Sequence, residues 1–427
     1  MEIVTVAGAR PQFIKTSIMK IGILTQYYEP EIGAPQARLS ALANALVERG
    51  HEVYVLTGMP SYPTGRVYSG YGGAFRRETL KGVRVFRSYI YATKSVGMAK
   101  RLANYFSFVL SSAVAGCVCL PRLDCLITES PPLFLGMTGY VLSRLKGAKW
   151  VFNVSDLWPE SAARLGAVGN GRALRLAYGL EAFCYRKAWL VTGQSTEIVQ
   201  NINERFPEVN TLHLSNGVDT DRFTPAKRDE ALRRRLVGEG TCLAMYAGLY
   251  GIAQGLERVL DAAAAVSDMV NLKFVFVGDG PEKEKLIERS RELGLRNVRF
   301  EPPAPSAEMP ALVASADIAL VPLKTHLPGA VPSKLYEAMA SGRPVLLAAN
   351  GEAAIIVREH GAGIAVEPGD SGAMAAALRR LSTDLGGQQQ MGSAGRRAAV
   401  QLFDRRTVVN GFINYLEKDY TCSSAVS

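Results

Sequence analysis

Short apolar runs alternate with amphipathic helical stretches along the chain, a pattern typical of parallel sheets with connecting helices. The first unit is an apolar run at 20–26, a helical stretch that ends near Gly50, and a second apolar run at 52–58. Further runs of this half lie at 83–89, 124–130, 150–156 and 189–195. The second half repeats the plan, with runs at 243–251, 272–281, 298–303, 317–323, 344–349 and 363–368. We therefore predict two α/β halves joined near 211–222, with ligands bound in the cleft between them, beyond the carboxyl ends of the strands.

The positive charge lies in the first half of the chain. The 427 residues carry 49 Lys and Arg against 39 Asp and Glu, and the whole net charge of +10 falls within residues 1–210. A one-sided basic surface indicates an anionic partner such as a membrane face or a phosphorylated lipid, and a solvated surface without a partner is the alternative. The basic residues are spread and match no nucleic-acid reader motif, so nucleic acid is not an expected partner.

The six cysteines lack the spacing of a disulfide framework or a metal site, and the chain starts without a signal-peptide pattern. These features predict a cytoplasmic protein without a metal site. The uncharged stretch 102–121 nearly suits a membrane-spanning helix, but Asn104 and three serines dilute it, and Lys100 and Arg101 precede it. A helix lying on a membrane or packed in a core fits better, and a spanning helix stays the third alternative.

The first eighteen residues form an extra segment. MEIVTVAGARPQFIKTS has the pattern of a strand, a loop and a helix start, yet another first strand begins directly after it. The segment resembles the extreme N-terminus of the non-hydrolysing UDP-N-acetylglucosamine 2-epimerases, and nothing further along the chain continues that resemblance. We predict that residues 1–18 are peripheral, derived from a fusion or a neighbouring reading frame, and an extra edge strand is the alternative.

Residues capable of chemistry follow several strands. Gly33 precedes the first helix, where the backbone could approach a phosphate. In FNVSDLWPES, Asp156 and Glu160 directly follow a strand and are placed for the cleft, although Asp156 also suits a helix N-cap. In YAGLYGIAQGLE, Gly248 lies at a strand end, which suits a phosphate cradle, and Gln254 could donate a hydrogen bond there.

The stretch VPSKLYEAMASGRPV (331–345) carries the strongest signal. Pro332 and Ser333 open a helix, Lys334 lies in its first turn, and Glu337 follows one turn later on the same face. A helix N-terminus with a lysine beside it is typical of a pyrophosphate site, and the carboxylate could accept both hydroxyls of a ribose. A surface Lys–Glu pair is the alternative, but the position between two apolar runs favours the cleft.

The chain resembles the retaining glycosyltransferases of family 4 over roughly residues 20–420. The motifs that carry the resemblance are YYEPEIGAPQARL, PSYPTGRVYSGY, SPPLFLGMTGYVL, DLWPES, LSNGVD, YAGLYGIAQGLE, FVGDGPEKEKL and PSKLYEAMASGRPV. The resemblance implies the GT-B fold, an α/β fold with two facing Rossmann-like domains, parallel sheets and an interdomain cleft. After the extra segment it implies an acceptor-binding domain at 19–212, a nucleotide-sugar-binding domain at 213–400, and a C-terminal helix at 401–420 that returns to the first domain.

The pair DLWPES and PSKLYE is similar to the bacterial surface-polysaccharide branch, whose enzymes add an N-acetylated fucosamine to a lipid-linked sugar. The resemblance implies a UDP-sugar donor and an undecaprenyl-pyrophosphate-linked saccharide acceptor at the inner membrane face, for O-antigen, capsule or exopolysaccharide. It implies retaining front-face transfer without cofactor or metal, in which the leaving phosphate oxygen takes the acceptor proton and the enzyme positions groups and stabilises charge. The donor residues so implied are Gly33, Gly248, Gln254, Gly278, Ser333, Lys334, Leu335 and Glu337, and the catalytic candidates are Asp156, Glu160 and Lys334.

Some positions depart from the family's pattern. The first glutamate of the donor motif is Gly329, the diphosphate-binding Arg and Lys are Leu249 and Gln254, and the histidine before the DLWPE aspartate is Ser155. Lys334 and the helix amides near it must then carry more of the phosphate charge. These departures leave open a catalytically degenerate nucleotide-sugar-binding protein, and residues 1–17 leave open an epimerase-like enzyme.

Overall fold

The computed structural model describes residues 18–93, 97–161 and 171–424, which form two α/β domains. The extra segment predicted at 1–18 lies, except for its last residue, outside the described residues and stays a prediction.

The first domain is built on an eight-stranded sheet. Its strands are β1 (Lys20–Leu24), β2 (Glu52–Gly58), β3 (Phe75–Leu80), β4 (Val83–Ser88), β5 (Cys125–Ser130), β6 (Lys149–Val154), β7 (Leu190–Gly193) and β8 (Thr211–His213). They lie in the order β3-β4-β2-β1-β5-β6-β7-β8, and all pairs are parallel except β3 with β4. The antiparallel edge departs from the expected parallel sheet because Lys81 and Gly82, both at positive φ, reverse the chain in a tight turn.

The second domain has a six-stranded, fully parallel sheet. Its strands are β9 (Cys242–Ala247), β10 (Leu272–Val277), β11 (Val298–Glu301), β12 (Ile318–Pro322), β13 (Val345–Ala348) and β14 (Gly363–Val366). They lie in the order β11-β10-β9-β12-β13-β14. Neighbours along β13 belong to different cores, since Leu346 packs in one apolar cluster and Leu347 in another. Alternate residues of a strand point to opposite faces, so both faces of this sheet are covered, as parallel sheets require. The predicted α/β class with two parallel-sheet domains is confirmed.

Helices connect the strands. They are α1 (Ala34–Glu48), α2 (Met98–Cys119), α3 (Leu135–Lys146), α4 (Arg172–Lys187), α5 (Thr196–Arg205), α6 (Glu230–Val237), α7 (Leu256–Ala265), α8 (Lys283–Glu292), α9 (Met309–Ser315), α10 (Ser333–Ala340), α11 (Glu352–Glu359), α12 (Ser371–Thr383), α13 (Leu385–Leu402) and α14 (Arg405–Ser424). Short 3₁₀ turns lie at Pro225–Lys227 and Ile252–Gln254.

The chain joins the two domains twice. After β8 it runs into the second domain, where Val218 forms an isolated parallel bridge with Asp404. The last helix, α14, then packs against the first domain, and its apolar face shares a core with Ile21 and Ile23 of β1. The residues that supply this face are Val409, Phe412, Ile413 and Leu416.

Helix α2 is, within the described part of the chain, the one helix long and apolar enough to cross a membrane by length and composition. One side packs on α3, β2 and β4, with Phe108 and Ser112 fully buried. The opposite side exposes Leu110, Val114 and Val118, at 68%, 68% and 79% of their surface. The helix therefore rests on the first domain with an apolar stripe facing outward.

Candidate functional site

Two glycine loops at the carboxyl ends of β9 and β10 meet backbone to backbone. Gly248 and Gly278 follow these strands directly, and both have positive φ. A Cβ on Gly278 would lie 1.9 Å from the Gly248 carbonyl oxygen, so a side chain cannot fit there. The two glycines therefore let the loops pack closely on each other at the carboxyl edge of the sheet, where ligands of such folds bind.

Lys334 lies against the Gly248 loop. A Cβ on Gly248 would come within 2.3 Å of Lys334 Cε, and Lys334 Nζ lies 5.4 Å from the centroid of the Tyr246 ring. Burial lowers the pKa of Lys334, and the nearby Glu337 carboxylate opposes that shift. An amine held in this way is a compact cation that a diphosphate would stabilise.

Glu337 lines the same cavity as Lys334, one helical turn further along α10. Burial raises its pKa, while the positive charges of Lys334, Arg405 and Arg222 lower it in part. The structure therefore brings the predicted lysine and carboxylate together beside one small cavity, whose other lining side chains are apolar.

The other predicted donor residues differ in how they are placed. Ser333 opens α10 directly after Pro332. Leu335 is fully buried in the core and donates its amide to the Pro332 carbonyl, so its side chain packs and does not face a ligand. Gln254 lies in the 3₁₀ turn after Gly251, and its Oε1 has no hydrogen-bond partner within the described residues.

Gly33 caps the N-terminus of α1 in the first domain with extended backbone. A Cβ at this position would lie 2.3 Å from Gln36 Oε1, so the buried Gln36 side chain occupies the space beside the glycine. The glycine is explained by this packing, and its predicted phosphate contact stays a prediction.

Asp156 and Glu160 follow β6, as predicted. Ser161 Oγ donates to Asp156 Oδ2 at 2.8 Å, which ties the carboxylate to the turn that it begins. Burial raises the pKa of Asp156, and the hydrogen bonds from Ser161 and the Leu157 amide oppose the shift. The Asp156 carboxylate is therefore hydrogen-bonded within its own turn, and a cleft role remains a prediction for both carboxylates.

A buried charge network beside them was missed from the sequence. Arg38 of α1 donates to both oxygens of Glu129, at 2.9 and 2.7 Å, and to Asn216 Oδ1 at 2.8 Å. Asn153 Nδ2 and Ser155 Oγ also donate to the Glu129 carboxylate. Ser155 replaces the histidine of the family pattern, and its hydroxyl is consumed in this network.

The network continues into the connection between the domains. Arg405, the first residue of α14, donates to the carbonyl oxygens of Asn216 and Gly217 at 3.1 and 3.0 Å. The sequence offered one sign of this network, which is Glu129 inside the apolar strand CLITES. A buried carboxylate needs a partner. The partner itself lies 91 residues away along the chain and gives no local signal.

A second depression opens at the carboxyl edge of the first sheet. Tyr27, Tyr62 and Tyr105 line it together with Arg101 and Asn104. Gln26, fully buried, donates through Nε2 to Tyr27 Oη at 2.9 Å and to Asn104 Oδ1 at 2.7 Å. Three tyrosine side chains with one cation suit a ligand that combines sugar and phosphate.

Glu31 fixes the loops around this depression. Its buried carboxylate accepts the amides of Tyr28, Ser61 and Tyr62 at 3.1, 2.7 and 2.8 Å. Burial nevertheless raises its pKa. Within the three described ranges, no group of three or more His, Cys, Asp or Glu side chains is arranged to hold a metal ion.

Two family descriptions match the chain, one for each domain. "Glycosyl transferase 4-like domain" matches residues 33–217, and "Glycosyl transferases group 1" matches residues 228–398.

Two curated relatives match the chain at similar identity. WcaI of Escherichia coli K12, named as a colanic acid biosynthesis glycosyl transferase, is 29% identical over 415 residues, which cover 93% of this chain and 99% of WcaI. The glycosyltransferase WbjE of Pseudomonas aeruginosa is 29% identical over 60% of this chain and 65% of its own length.

Solved structures show the same fold. HepE of Anabaena, in complex with UDP-glucose, superposes with a TM-score of 0.69 at 20% identity and covers 94% of this chain and 100% of its own. WaaG, a glycosyltransferase involved in lipopolysaccharide biosynthesis, has a TM-score of 0.65 at 19% identity, with 92% and 98% covered.

Proposed function

We propose that this glycosyltransferase transfers a sugar from a UDP-sugar to a lipid-linked saccharide. The chain matches a glycosyl transferase 4-like domain followed by a group 1 glycosyl transferase domain, and it has the GT-B fold. The observation that carries the donor half of this proposal is Lys334, held at the N-terminus of α10 against the Gly248 loop. The complex of HepE with UDP-glucose supports a UDP-linked donor.

The donor diphosphate would bind where α10 begins. The amides of Ser333 and Lys334 stand at the helix N-terminus, where the helix dipole favours an anion, and the Lys334 ammonium adds a full charge. Glu337, one turn further, would accept ribose hydroxyls. The donor sugar would be N-acetylated, as the surface-polysaccharide branch suggests.

The acceptor would bind at the depression of the first domain. Tyr27, Tyr62 and Tyr105 offer aromatic faces for sugar rings, and Arg101 offers a planar cation for the pyrophosphate of a lipid carrier. This depression and the donor site both lie at carboxyl ends of their sheets, which is where a reaction across the cleft needs them.

A membrane face would lie beside the acceptor depression. Phe106, Leu110, Val114 and Val118 follow one another at four-residue spacing along the outer side of α2, and all four are exposed. The neighbouring α3 exposes Met137, Val141 and Leu145 at the same spacing. Basic side chains lie near the ends of the two helices: Arg101 in the first turn of α2, Arg122 after its last residue, and Arg144 and Lys146 in the last turn of α3. An apolar surface with basic residues near its ends suits the anionic inner face of a membrane, so we place the enzyme there as a peripheral protein in the cytoplasm.

The transfer would retain the anomeric configuration. The acceptor hydroxyl would attack C1 of the sugar on the face from which UDP leaves, the C1–O bond to the β-phosphate would break, and that phosphate oxygen would take the hydroxyl proton. Lys334 and the α10 amides would stabilise the charge that grows on the departing diphosphate. Within this scheme Asp156 and Glu160 would order the loop beside the sugar or acceptor, and neither needs to act as a base.

The product would belong to a surface polysaccharide. WcaI is named for colanic acid biosynthesis and WaaG for lipopolysaccharide biosynthesis, and both support this assignment.

Acceptor-dependent UDP release tests the proposal. The enzyme is supplied with a panel of UDP-sugars, N-acetylated ones first, and with undecaprenyl-pyrophosphate-N-acetylglucosamine in detergent. We expect release with one donor, dependent on the acceptor, lost in Lys334→Ala and retained in the control Lys285→Ala, whose lysine is exposed on α8.

A second candidate is a binding protein that has lost catalysis. Leu249 and Gln254 stand where related enzymes hold the diphosphate with Arg and Lys, and this observation favours it. UDP binding without release for any donor would support this candidate and contradict transfer. An epimerase-like activity would instead interconvert UDP-N-acetylglucosamine and its 2-epimer without an acceptor.

A further inference from the structure

Two helix N-termini meet across the boundary between the domains. Helix α5 of the first domain begins at Thr196 and helix α11 of the second at Glu352, each directly after a strand of its own sheet. Both helix ends carry partial positive charge, so their approach is unfavourable unless anions lie between them. The structure places a carboxylate from each helix in that position.

The two carboxylates cap each other's helix. The Glu197 amide donates to Glu352 Oε2 at 2.7 Å, and the Glu352 amide donates to Glu197 Oε2 at 3.2 Å. Gly351, which precedes α11, supplies no side-chain cap of its own, so the cap of α11 comes from the other domain. At Gly351 a Cβ would lie 2.4 Å from Glu197 Oε2, and the residue has positive φ, so glycine is required for this approach.

The contact between Glu197 and Glu352 adjoins the loop that leads into α10, the helix at which the donor diphosphate would bind. His326 Nε2 lies 3.6 Å from Glu197 Oε1, and a Cβ on Gly329 would lie 3.1 Å from Ser195 Oγ. His326 and Gly329 both belong to the segment between β12 and α10, directly before Lys334. The position of that segment relative to the first domain is therefore set at the same place where the two helices meet.

We propose that Glu197 and Glu352 are positioning residues that hold the cleft closed, each carboxylate capping the helix of the opposite domain and thereby fixing the donor loop 323–332 against the acceptor domain. The inference rests on the proposed transfer function for its kinetic consequence, but the closure itself is a property of the fold. Neither residue touches the reacting atoms, and each acts through the geometry of the cleft.

Two measurements test this reciprocal capping of α5 and α11 by Glu352 and Glu197, which we call the clasp. Small-angle X-ray scattering of the full chain, with UDP present, measures whether the domains separate and needs no turnover. Steady-state kinetics and UDP titration measure the consequence. The variants are Glu197→Ala, Glu352→Ala, the double variant and Glu197→Gln, and the control is Glu359→Ala at the exposed far end of α11.

We expect a larger radius of gyration and about a tenfold lower kcat in each alanine variant, since one charge-assisted hydrogen bond is lost, with UDP affinity unchanged. The fold-loss of kcat in the double variant should be smaller than the product of the two single losses, because both hydrogen bonds depend on the same closure. Glu197→Gln keeps a neutral hydrogen-bond acceptor, so its kcat should fall less than that of Glu197→Ala. The kcat of Glu359→Ala should be unchanged. Folded alanine variants with an unchanged radius of gyration and unchanged kcat would overturn the clasp. Absence of transfer in the wild type would refute the proposed function but not the clasp, because the scattering measurement tests the clasp without turnover.

Discussion

Removing the positive partner of the buried Arg38–Glu129 pair should destabilise the first domain strongly. Both side chains are almost fully buried, and the Glu129 carboxylate receives Arg38, Asn153 and Ser155 as donors. Arg38→Met keeps much of the packing volume but leaves a buried carboxylate without its cation. We expect a loss of about 3–5 kcal/mol, the usual cost of breaking a buried pair from one side.

The three tryptophans make this loss measurable in one domain. Trp150, Trp158 and Trp189 all lie in the first domain, so their fluorescence during urea unfolding reports on that domain. With an m-value of about 2–3 kcal/mol/M, the midpoint should fall by roughly 1–2 M. Arg66→Met, which changes an exposed arginine of the same domain, is the control and should shift the midpoint little.

A second substitution separates the charge from the packing. Glu129→Gln in the Arg38→Met background removes the uncompensated charge and keeps hydrogen-bonding atoms for Asn153 and Ser155. This double variant should be more stable than Arg38→Met alone, although both carry the same change at Arg38. A loss below about 1 kcal/mol in Arg38→Met, or a double variant as unstable as the sum of the single losses, would show that Arg38 does not compensate a buried charge on Glu129.

Three further predictions concern the ligand surfaces. Burial lowers the pKa of Lys334 below its usual 10.5, so its ammonium loses its proton at a lower pH than that of an exposed lysine. The affinity for UDP, measured by calorimetry, should therefore fall with rising pH in the wild type and stay constant in Lys334→Arg. An affinity that is independent of pH in the wild type would contradict this. Arg101→Ala should raise the KM for a pyrophosphate-linked acceptor roughly 10- to 100-fold and leave the KM for the donor unchanged, and an equal rise in both would argue against the acceptor depression. Leu110→Asp with Val114→Asp should weaken binding to anionic vesicles about tenfold or more in a flotation assay, while unchanged flotation would exclude this face as the membrane contact.

The sequence pattern predicted most of the fold because the strands of a parallel sheet are short, apolar and evenly separated by helices. β2 matches the predicted run 52–58 residue for residue, and the runs of the second half each overlap a strand. The edge strand β3, FRRETL, was missed because most of its residues face solvent and its pattern is polar. β8 was missed because it has three residues, too few for a periodicity.

The donor site was predictable where its residues are close in the chain. Lys334 and Glu337 lie three residues apart on one helix, so helical geometry alone puts them on the same face. Contacts between distant segments gave no such signal. Arg38 meets Glu129 across 91 positions, and Glu197 meets Glu352 across 155, and only the folded topology brings these groups together.

The claim that a sugar is attached to a lipid-linked acceptor is tested by mass spectrometry of that lipid. After reaction with the donor that supports UDP release, the undecaprenyl-pyrophosphate-saccharide should be heavier by one sugar residue, and the change should be absent with Lys334→Ala. An unchanged lipid mass while UDP accumulates would mean that water accepts the sugar, and would contradict the claim.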